Sequence, residues 1–426
     1  MAAWFRILTL AVTLLATLAL SPARAAGPSL LFDPATGEVL SHDREGEPWY
    51  PASLTKLMTS YLVFKKLREG SLTLDQKIPV SELAHAQPPS KIGVPVGKTV
   101  TVDFALQSLL VYSANDMAYV LAEAAAGTAQ AFVAAMNQTA KDLGMTATHF
   151  VNPNGLFDPR HVSTARDIAV VASAILRDFP EYAHYFAQSY VAVGKRHLAN
   201  RNSLIRQMPE ADGLKTGFVC NSGFNLVASA TRNGRKLVAV VLGAQSGKAR
   251  ADLAQMLLVD GFTRDPAKTP HPKLGELADQ QLGAIVPADM TASVCKRKPA
   301  VLLINAHELT GWGISFGLYD SALKADMALR GRLLSPWGVD AAGTAGVVQM
   351  PGDQGFAAIV WNIDQASSLA MCAHYRGEKA YCEVMTPETF AQIAALTPVP
   401  PPLEVKPEAQ GADEEKSKTK PVAGKN

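Results

Sequence analysis

Apolar residues recur every three or four positions along much of the first half of the chain, and this period is typical of amphipathic helices. In segment 52–67 they line one broad face, Pro51 stands at a helix-start position, and Gly70 is a stop signal. Segment 112–114 interrupts the pattern farther along. The same periodicity predicts four further helices: 102–111, 115–126, 129–143 and 163–177.

Strand signals dominate the part of the chain that follows these helices. The dipeptide Asn233-Gly234 between two apolar runs is a strong signal for a tight hairpin turn. Strands are predicted within 29–43 (two short strands around a turn) and over 214–219, 225–231 and 236–242. Together with the helices, they predict an α/β fold in which an antiparallel sheet packs between helices.

The second half of the chain changes character twice. Segment 266–299 is rich in Pro, Lys and Asp and has little core, so we predict a linker after a first domain at 26–265. Apolar patterning resumes over 300–388. Its predicted elements are strand 312–319, helix 321–334, a strand around 347, strand 356–361, helix 364–375 and strand 380–384. This order predicts a small βαββαβ domain, followed by a disordered tail at 389–426.

The first residues are typical of a secretory signal. A positive residue precedes an apolar run at 7–20, and an A-x-A cleavage site follows at 23–25. We therefore expect 1–25 to be a signal peptide, cleaved near Ala25/Ala26, and the mature protein to be exported. The alternative is an uncleaved N-terminal anchor, for which the apolar run is short.

Composition narrows the classes of function. Hydrophobic residues make up 48% of the chain and the formal net charge is +2, so a large core is expected and nucleic acid is not an expected partner. The four cysteines, Cys220, Cys295, Cys372 and Cys382, allow two disulfides in an exported chain, with three possible pairings. Their spacing is not that of a zinc site, and we expect neither a metal nor a cofactor.

Two residues of the first predicted helix indicate nucleophilic chemistry. Ser53 and Lys56 are three positions apart, which places both side chains on one helix face, so the amine can reach the hydroxyl. A serine hydroxyl needs a base, but a lysine with its reference pKa of about 10.4 is protonated at neutral pH. Burial or a second cation would have to lower that pKa, and Lys215 is the candidate cation. Taken alone, the pair also fits a helix-capping serine beside a solvated lysine.

Two later motifs supply further polar groups. Ser113 and Asn115 fall in the break between two helices, where the hydroxyl could relay a proton and the amide could hold a substrate backbone. Lys215 and Thr216 precede the hairpin and could hold a carboxylate, while Gly217 would allow a close backbone approach. Each motif alone has a structural alternative, a helix cap for the first and an exposed sheet edge for the second.

The ordered motifs Ser53-Leu-Thr-Lys56, Ser113-Ala-Asn115 and Lys215-Thr-Gly217 resemble those of the D-alanyl-D-alanine carboxypeptidases, the low-molecular-mass penicillin-binding proteins of the serine peptidase type. The resemblance covers roughly 27–262. It also includes the segments 51–59, 148–150, 154–156, 200–202, 212–217 and 225–230.

The resemblance implies a periplasmic hydrolase acting on peptidoglycan. Ser53 would attack the carbonyl between the two terminal D-alanines of a stem pentapeptide, with Lys56 as the base. The backbone N–H groups of Ser53 and Phe218 would hold the oxyanion. β-Lactams would acylate Ser53 as substrate mimics. The same site would serve a D,D-endopeptidase acting on cross-links, and the rival from another class is a catalytically idle peptidoglycan-binding protein.

The resemblance also implies a set of substrate-binding residues, in which Thr216 and Arg250 bind the terminal carboxylate. Arg250 is the less specific match, because Lys248 stands nearby in the sequence. The full set is Thr216, Gly217, Phe218 and Arg250.

The C-terminal domain is similar in two places to the sporulation-related repeat (SPOR) domain, a peptidoglycan-binding module. Segment 312–321 resembles its opening, and 369–382 resembles its second helix and last strand. This resemblance implies a disulfide between Cys372 and Cys382, with Cys220 and Cys295 left to pair or stay free, and it implies contact with glycan strands. The alternative is a small structural βαββαβ domain.

Overall fold

The computed structural model describes residues 27–264, 271–283, 285–295, 301, 303–333 and 343–397. The predicted signal peptide at 1–25 and the predicted tail beyond 397 lie outside the described residues. The first domain contains strands β1 Ser29–Phe32, β2 Val39–Asp43, β3 Lys77–Pro79, β4 Thr99–Thr101, β5 Tyr190–Val193, β6 Arg196–Ala199, β7 Ala211–Val219, β8 Gly223–Arg232 and β9 Arg235–Ala244. Its α-helices are α1 Lys56–Arg68, α2 Glu82–His85, α3 Val102–Gln107, α4 Asn115–Ala126, α5 Ala129–Asp142, α6 Ala165–Asp178, α7 His184–Ala187, α8 Leu204–Gln207 and α9 Gly247–Thr263.

The first domain is built on a five-stranded sheet with the order β2-β1-β9-β8-β7, in which all neighbours are antiparallel. The predicted hairpin joins β8 to β9, with Arg232 opposite Arg235. Asn233 and Gly234 have φ values of +52° and +79°. Two successive positive φ values are what a tight hairpin turn requires, and Asn-Gly is the pair that adopts them most readily.

Both faces of this sheet are buried, because side chains on β9 alternate between two cores. Val238, Val240 and Leu242 face a large core shared with α1, α3, α4, α5 and α6. Leu237 and Val241 face a smaller core, to which α9 contributes Ala254 and Leu258. The sheet therefore lies between helices, as the sequence predicts, and it gives α1 and β7 a rigid support.

The break predicted between two helices is a distorted turn in the structure. The Thr101 hydroxyl caps α3 by accepting a hydrogen bond from the Phe104 N–H. After α3 the chain continues through one wide helical turn, Ser108–Tyr112, and Ser113 then adopts a left-handed conformation with φ +67°. Non-glycine residues adopt this conformation infrequently, and it often marks a functional position.

The C-terminal domain contains strands β10 Leu303–Ile304, β11 Trp312–Tyr319, β12 Thr344–Gln349, β13 Phe356–Ile363 and β14 Glu383–Met385. Its α-helices are α11 Ala322–Leu333, α12 Gln365–Gly377 and α13 Pro387–Leu396, and the short helix α10 Thr291–Val294 precedes it. The sheet order is β10-β12-β13-β11-β14. The described elements from β11 to β14 follow the predicted order of strand, helix, two strands, helix and strand.

Helix α13 corrects the predicted boundary of the tail. The prediction began the disordered tail at residue 389, but Pro387–Leu396 is helical, and Phe390 and Ile393 are buried against the sheet. The Thr386 hydroxyl caps this helix by accepting from the Thr389 N–H. The sequence after this helix is rich in Pro and charged residues, so the prediction missed a further amphipathic helix of ten residues. A helix this short is stable only because its apolar side chains pack against the sheet.

Two disulfides join the four cysteines. Cys372 bonds to Cys382 and links α12 to the segment before β14, as the SPOR resemblance implies. Cys220 bonds to Cys295, a pairing that the residues alone left open. The second bridge ties the segment before the C-terminal domain to the β7–β8 turn.

The segment predicted as a linker packs closely on the first domain where it is described. The Val39 N–H donates to the Pro272 carbonyl, and the Gln280 N–H donates to the Gly46 carbonyl, both at 2.9 Å. The Asp279 carboxylate accepts from the Thr164 hydroxyl at 2.6 Å and is 3.2 Å from Arg166 Nη1. Local composition predicted a linker with little core, because the residues that these groups contact lie more than one hundred positions away in the sequence.

Within the described residues, no single helix combines the length and apolar composition needed to cross a bilayer. Helices α4 and α5 reach that length and composition only together, and the chain bends by 83° between them.

Candidate active site

The nucleophile candidate lies on a tight turn that leads into α1. Ala52–Thr55 forms a single 3-10 turn before α1, and Ala52 has a φ of +48°. The buried Asn225 amide donates to the carbonyls of Tyr50 at 3.0 Å and Pro51 at 3.3 Å, which fixes this turn to the sheet. Ser53 is therefore held at the start of a helix, where free N–H groups favour developing negative charge.

Two glycines allow neighbouring chain segments to close over this turn. A Cβ atom on Gly155 would lie 1.9 Å from the Ala52 carbonyl oxygen, and one on Gly217 would lie 2.8 Å from the Pro51 carbonyl oxygen. The same Gly217 Cβ would be 3.2 Å from the Ser53 nitrogen. The sequence suggested that Gly217 permits close approach to a ligand; in the structure it permits close approach of β7 to the nucleophile turn itself.

Lys56 is completely buried and reaches Ser53 as the helical spacing predicts. Its Nζ donates to the Ser53 Oγ at 2.8 Å, to the Asn115 Oδ1 at 2.8 Å and to the Asn154 carbonyl at 2.6 Å. All three partners are uncharged. The amine is thus oriented toward the nucleophile without a carboxylate in direct contact.

Burial lowers the pKa of Lys56 to about 7, opposed by the negative charge of Asp116. Desolvation disfavours the ammonium form, so a large fraction of the amine is neutral near neutral pH and can accept a proton. The pKa of Lys215 is also well below its usual range, first because of burial and then because of the positive charges of Lys56, Arg250 and Arg201. Burial is therefore the main cause of the lowered pKa at both amines.

Ser113 and Lys215 form a second pair in the same site. Lys215 Nζ donates to the Ser113 Oγ and to the Thr216 carbonyl, both at 2.9 Å. The left-handed turn at Ser113 aims its hydroxyl at β7, and the Asn115 amide nitrogen donates to the Pro88 carbonyl at 2.9 Å. The three motifs thus meet in one place although about one hundred and sixty residues separate the first from the last.

Three supporting residues received no role from the sequence. Asp116 is buried and accepts from the backbone N–H groups of Ile92 and Gly93, so it positions the loop over the site. The Asn154 carbonyl accepts from Lys56, and the Asn154 amide donates to Gln87 at 2.9 Å. Asn154-Gly155 belongs to a segment that matched the family pattern, and that match was the available signal.

The histidine nearest the nucleophile turn is structural. His161 lies beneath the turn, with its Nε2 2.8 Å from the Thr55 hydroxyl and its Nδ1 accepting from the Val151 N–H at 3.1 Å. Burial lowers its pKa to about 3, so the ring is neutral. Its hydrogen bonds go to Thr55 and Val151, whereas the Ser53 hydroxyl accepts from Lys56.

The structure places Arg250, and not Lys248, in the site. Arg250 Nη1 donates to the carbonyls of Gly217 at 3.1 Å and Asn225 at 3.2 Å, so it lies beside β7. Lys248 is 83% exposed and bonds to Asp252 on the same helix. Arg201, which stands in another segment that matched the family pattern, also lines the site.

These groups surround a cleft of about 310 Å³. Ser53, Ser113 and Asn115 form its inner wall, Thr216, Gly217 and Phe218 form one side, and Gly155 and Leu156 form another. Arg201 and Arg250 supply positive charge. A cleft with a serine, a lysine amine whose pKa is lowered to about 7 and two guanidinium groups can bind an anionic acyl compound and transfer its acyl group to serine.

Comparison with known proteins agrees with this geometry. The sequence model of the D-alanyl-D-alanine carboxypeptidase family matches residues 16–246, more than half of the chain. The chain belongs to this family.

Among relatives, the D-alanyl-D-alanine carboxypeptidase DacD of Salmonella typhimurium is 38% identical over 244 residues, which cover 56% of this chain and 63% of the relative. The D-alanyl-D-alanine carboxypeptidase DacC of Escherichia coli is 36% identical over 248 residues, covering 57% of this chain and 62% of the relative. The chain therefore spans less than two thirds of the length of these relatives.

Solved structures show the same correspondence. Penicillin-binding protein 6B of Escherichia coli has a TM-score of 0.54 and 37% identity, covering 57% of this chain and 79% of that one. Penicillin-binding protein 5 of Haemophilus influenzae has a TM-score of 0.55 and 34% identity, with coverages of 57% and 72%. A Listeria monocytogenes penicillin-binding protein in its cefotaxime-bound form has a TM-score of 0.52 and 29% identity, with coverages of 56% and 98%.

Proposed function

We propose that this protein is a serine D,D-carboxypeptidase that removes the terminal D-alanine from peptidoglycan stem pentapeptides through a Ser53 acyl-enzyme and is inhibited by β-lactams. The observation that carries the proposal is the 2.8 Å hydrogen bond between the buried Lys56 amine and the Ser53 hydroxyl. A base next to the nucleophile, with a pKa near the working pH, is what acyl transfer without histidine requires.

Acylation begins when the Ser53 oxygen attacks the carbonyl between the two terminal D-alanines and its proton passes to the neutral Lys56 amine. The tetrahedral oxyanion is held by the backbone N–H groups of Ser53 and Phe218, a role supported by the close approach of Gly217 to the Ser53 nitrogen. Collapse breaks the carbon–nitrogen bond and leaves the acyl group as an ester on Ser53.

The departing D-alanine amine needs a proton, and the Ser113–Lys215 pair supplies a path for it. The Ser113 hydroxyl accepts from Lys215 and can pass its own proton to the leaving nitrogen. The Ser113 oxygen in turn takes up the proton that Lys56 received from Ser53, so both groups are restored before the second step. In deacylation, neutral Lys56 takes a proton from water as the water oxygen attacks the ester, and it returns that proton to the Ser53 oxygen when the ester bond breaks. Arg250 and Thr216 bind the terminal carboxylate of the substrate, and Arg201 adds positive charge at the same wall.

The test uses residues 26–426, purified and mixed with a soluble muropeptide that ends in D-Ala-D-Ala. Mass spectrometry is expected to show loss of one alanine, and Ser53→Ala is expected to abolish both this loss and labelling by a fluorescent penicillin. Labelling without alanine loss, together with cleavage of a cross-linked muropeptide, would favour a D,D-endopeptidase. Absence of both reactions in the wild-type protein would favour an idle wall-binding protein.

We also propose that the protein is exported to the periplasm and that 1–25 is removed as a signal peptide. Two disulfides support this location, because such bonds persist in oxidising compartments. N-terminal mass spectrometry of the protein recovered from a periplasmic fraction is expected to find a chain that starts near Ala26. An intact N-terminus in the cytoplasm would contradict the proposal.

For the C-terminal domain, we propose binding to glycan strands. Tyr381 is 59% exposed and packs over Gly317, whose added Cβ would lie 3.4 Å from the tyrosine ring. An exposed aromatic ring on a small residue is a suitable platform for a sugar face. Purified peptidoglycan sacculi should pellet the wild-type protein and release most of it when Tyr381→Ala is introduced. Equal pelleting of the two proteins would leave the domain a structural role.

A further inference from the structure

One buried arginine of the C-terminal domain packs against residues of the catalytic domain. Arg330, on α11, is only 8% exposed, and its Nη1 donates to the Tyr50 hydroxyl at 3.0 Å. Its guanidinium carbon is 5.0 Å from the centre of the Phe157 ring. The rings of Tyr50 and Phe157 meet edge to face at 5.1 Å. A single side chain of the second domain therefore contacts two aromatic residues of the first domain.

Both aromatic residues adjoin the active site. Tyr50 precedes the nucleophile turn, and its carbonyl accepts from Asn225, which also holds Pro51. Phe157 follows Leu156, which lines the cleft. Arg330 thus fastens the chain just before the nucleophile to the loop that forms one wall of the site.

The same arginine is linked to the opposite wall. Its Nη1 is 3.5 Å from Asp289, and Asp289 accepts from the Asn221 side chain at 2.7 Å. Asn221 follows Cys220, which is bonded to Cys295 and stands just beyond Val219, another residue of the cleft. Arg330 therefore contacts the segment before the nucleophile directly, and it is linked through Asp289 and Asn221 to the turn that follows β7.

Arginine is the residue suited to this position. Its planar group stacks on Phe157 and presents separate N–H donors to Tyr50, to Asp289 and to Asp326, which is 2.7 Å from Nε. A lysine could neither stack in this way nor serve three directions at once. Cation–π contacts and charge-assisted hydrogen bonds contribute more binding free energy when they are buried than when they are exposed to solvent.

We propose that Arg330 is a positioning residue for the serine site: from the C-terminal domain, it holds the Tyr50 segment and the Phe157 loop in the arrangement needed for acylation. The inference rests on the proposed function, because it concerns how quickly Ser53 reacts. Small displacements of a reacting group lower reaction rates strongly. Tyr50 lies three residues before Ser53, so loss of its contact with Arg330 should change the rate of acylation measurably.

The test measures acylation of the full mature chain by a fluorescent penicillin in Arg330→Met and Tyr50→Phe. The end-point amplitude counts active molecules, and the second-order rate constant reports how well each active molecule is arranged. We expect Arg330→Met to lower the rate constant about tenfold and Tyr50→Phe to lower it several-fold. The double variant should be no slower than Arg330→Met, because both changes remove one shared contact.

Lys324→Met is the matched control, since Lys324 is exposed on the same helix and pairs with Asp320; its rate constant should equal that of the wild type. Arg330→Lys should recover only part of the rate. A purely structural role predicts a smaller amplitude with an unchanged rate constant, and that result would overturn the inference.

Tyr50→Phe removes one hydroxyl and leaves Arg330 with both carboxylates, so it decides the matter if Arg330→Met does not fold. A wild-type protein that penicillin does not label would instead refute the proposed function, and the inference with it.

Discussion

Two buried clusters of charged side chains differ in the groups that contact their cations. In the active site, the hydrogen bonds of Lys56 and Lys215 go to hydroxyl, amide and carbonyl oxygens. In the second cluster, Arg166 Nη1 contacts Asp167 at 2.8 Å and Asp279 at 3.2 Å. The first cluster leaves buried amines poised to exchange protons, whereas the second joins the segment after the catalytic domain to α6.

In both clusters burial shifts a pKa toward neutrality, because it disfavours the charged form of an amine and of a carboxyl group alike. Burial without a carboxylate in contact lowers the pKa of Lys56 to about 7, which suits the proposed role of this amine as a base. Burial of two carboxylates together raises the pKa of Asp167 to about 7, first through desolvation and then through Asp279, although Thr148 and Arg166 oppose the rise. The second cluster is consequently a pH-dependent contact between the segment that contains Asp279 and helix α6.

The largest expected effect comes from removing the active-site amine. Lys56→Met should lower the rate of β-lactam acylation by about 10³-fold, because Ser53 loses its base. Thermal stability should hold or increase, since the change removes an amine whose charged form is costly to bury. Lys66→Met, which alters an exposed lysine on the same helix, is the control and should leave the rate unchanged. Acylation of Lys56→Met at the wild-type rate would refute the assignment of the base.

A smaller effect concerns the pH at which the base acts. The neutral amine is the active form, so acylation should rise with pH, reach half its maximum near the Lys56 pKa of about 7 and then level off. Below that pKa, each pH unit should cost about tenfold in rate. Asp116→Asn removes the charge that raises the Lys56 pKa, so its profile should move to lower pH. A shift to higher pH would show that Asp116 acts mainly by holding the loop at Ile92 and Gly93.

The smallest effect is on stability, and it tests the second cluster. A raised pKa means that the folded state holds a proton that the unfolded state releases, so this stabilisation is complete below the unfolded pKa and is lost as pH rises through about 7. From about pH 5 to about pH 8, this term should lower the wild-type Tm by roughly 3 °C. Asp279→Asn should flatten that slope by removing the repulsion on Asp167.

The exposed pair of Asp252 and Lys248 offers the matched control, and Asp252→Asn should leave the slope unchanged. If Asp279→Asn has the same slope as the wild type, the two carboxylates do not share a proton.

Much of the fold followed from local patterns. The helix at Asn115–Ala126 and the strand at Trp312–Tyr319 have the predicted bounds, because each carries a regular apolar period and clear end signals. The prediction was less accurate where distant contacts decide the outcome. Helix α13 was assigned to the tail because its neighbours are rich in Pro and charge, and Asp279 was assigned to a linker because its partners, such as Thr164, lie far away in the sequence.

In the candidate site, too, the sequence predicted the features set by local spacing and missed those set by contacts between distant segments. The spacing of Ser53 and Lys56 was sufficient to place the amine beside the hydroxyl, because a helix has a fixed period. The sequence marked the break at 112–114 and the segment 154–156, but it did not predict the left-handed conformation of Ser113 or the contact of the Asn154 carbonyl with Lys56. A carbonyl oxygen belongs to every residue, so only its position in space distinguishes it.

The sequence by itself determined the identity of the reactive groups, the period that pairs Ser53 with Lys56, and the hairpin at Asn233-Gly234, because local backbone geometry and side-chain chemistry are properties of short segments. The tertiary structure decided that Lys56 is buried without a carboxylate in contact, that Arg250 rather than Lys248 enters the cleft, and that Arg330 reaches Tyr50 from another domain. These features depend on desolvation and on contacts between segments far apart in the chain, and such quantities exist only after the chain has folded.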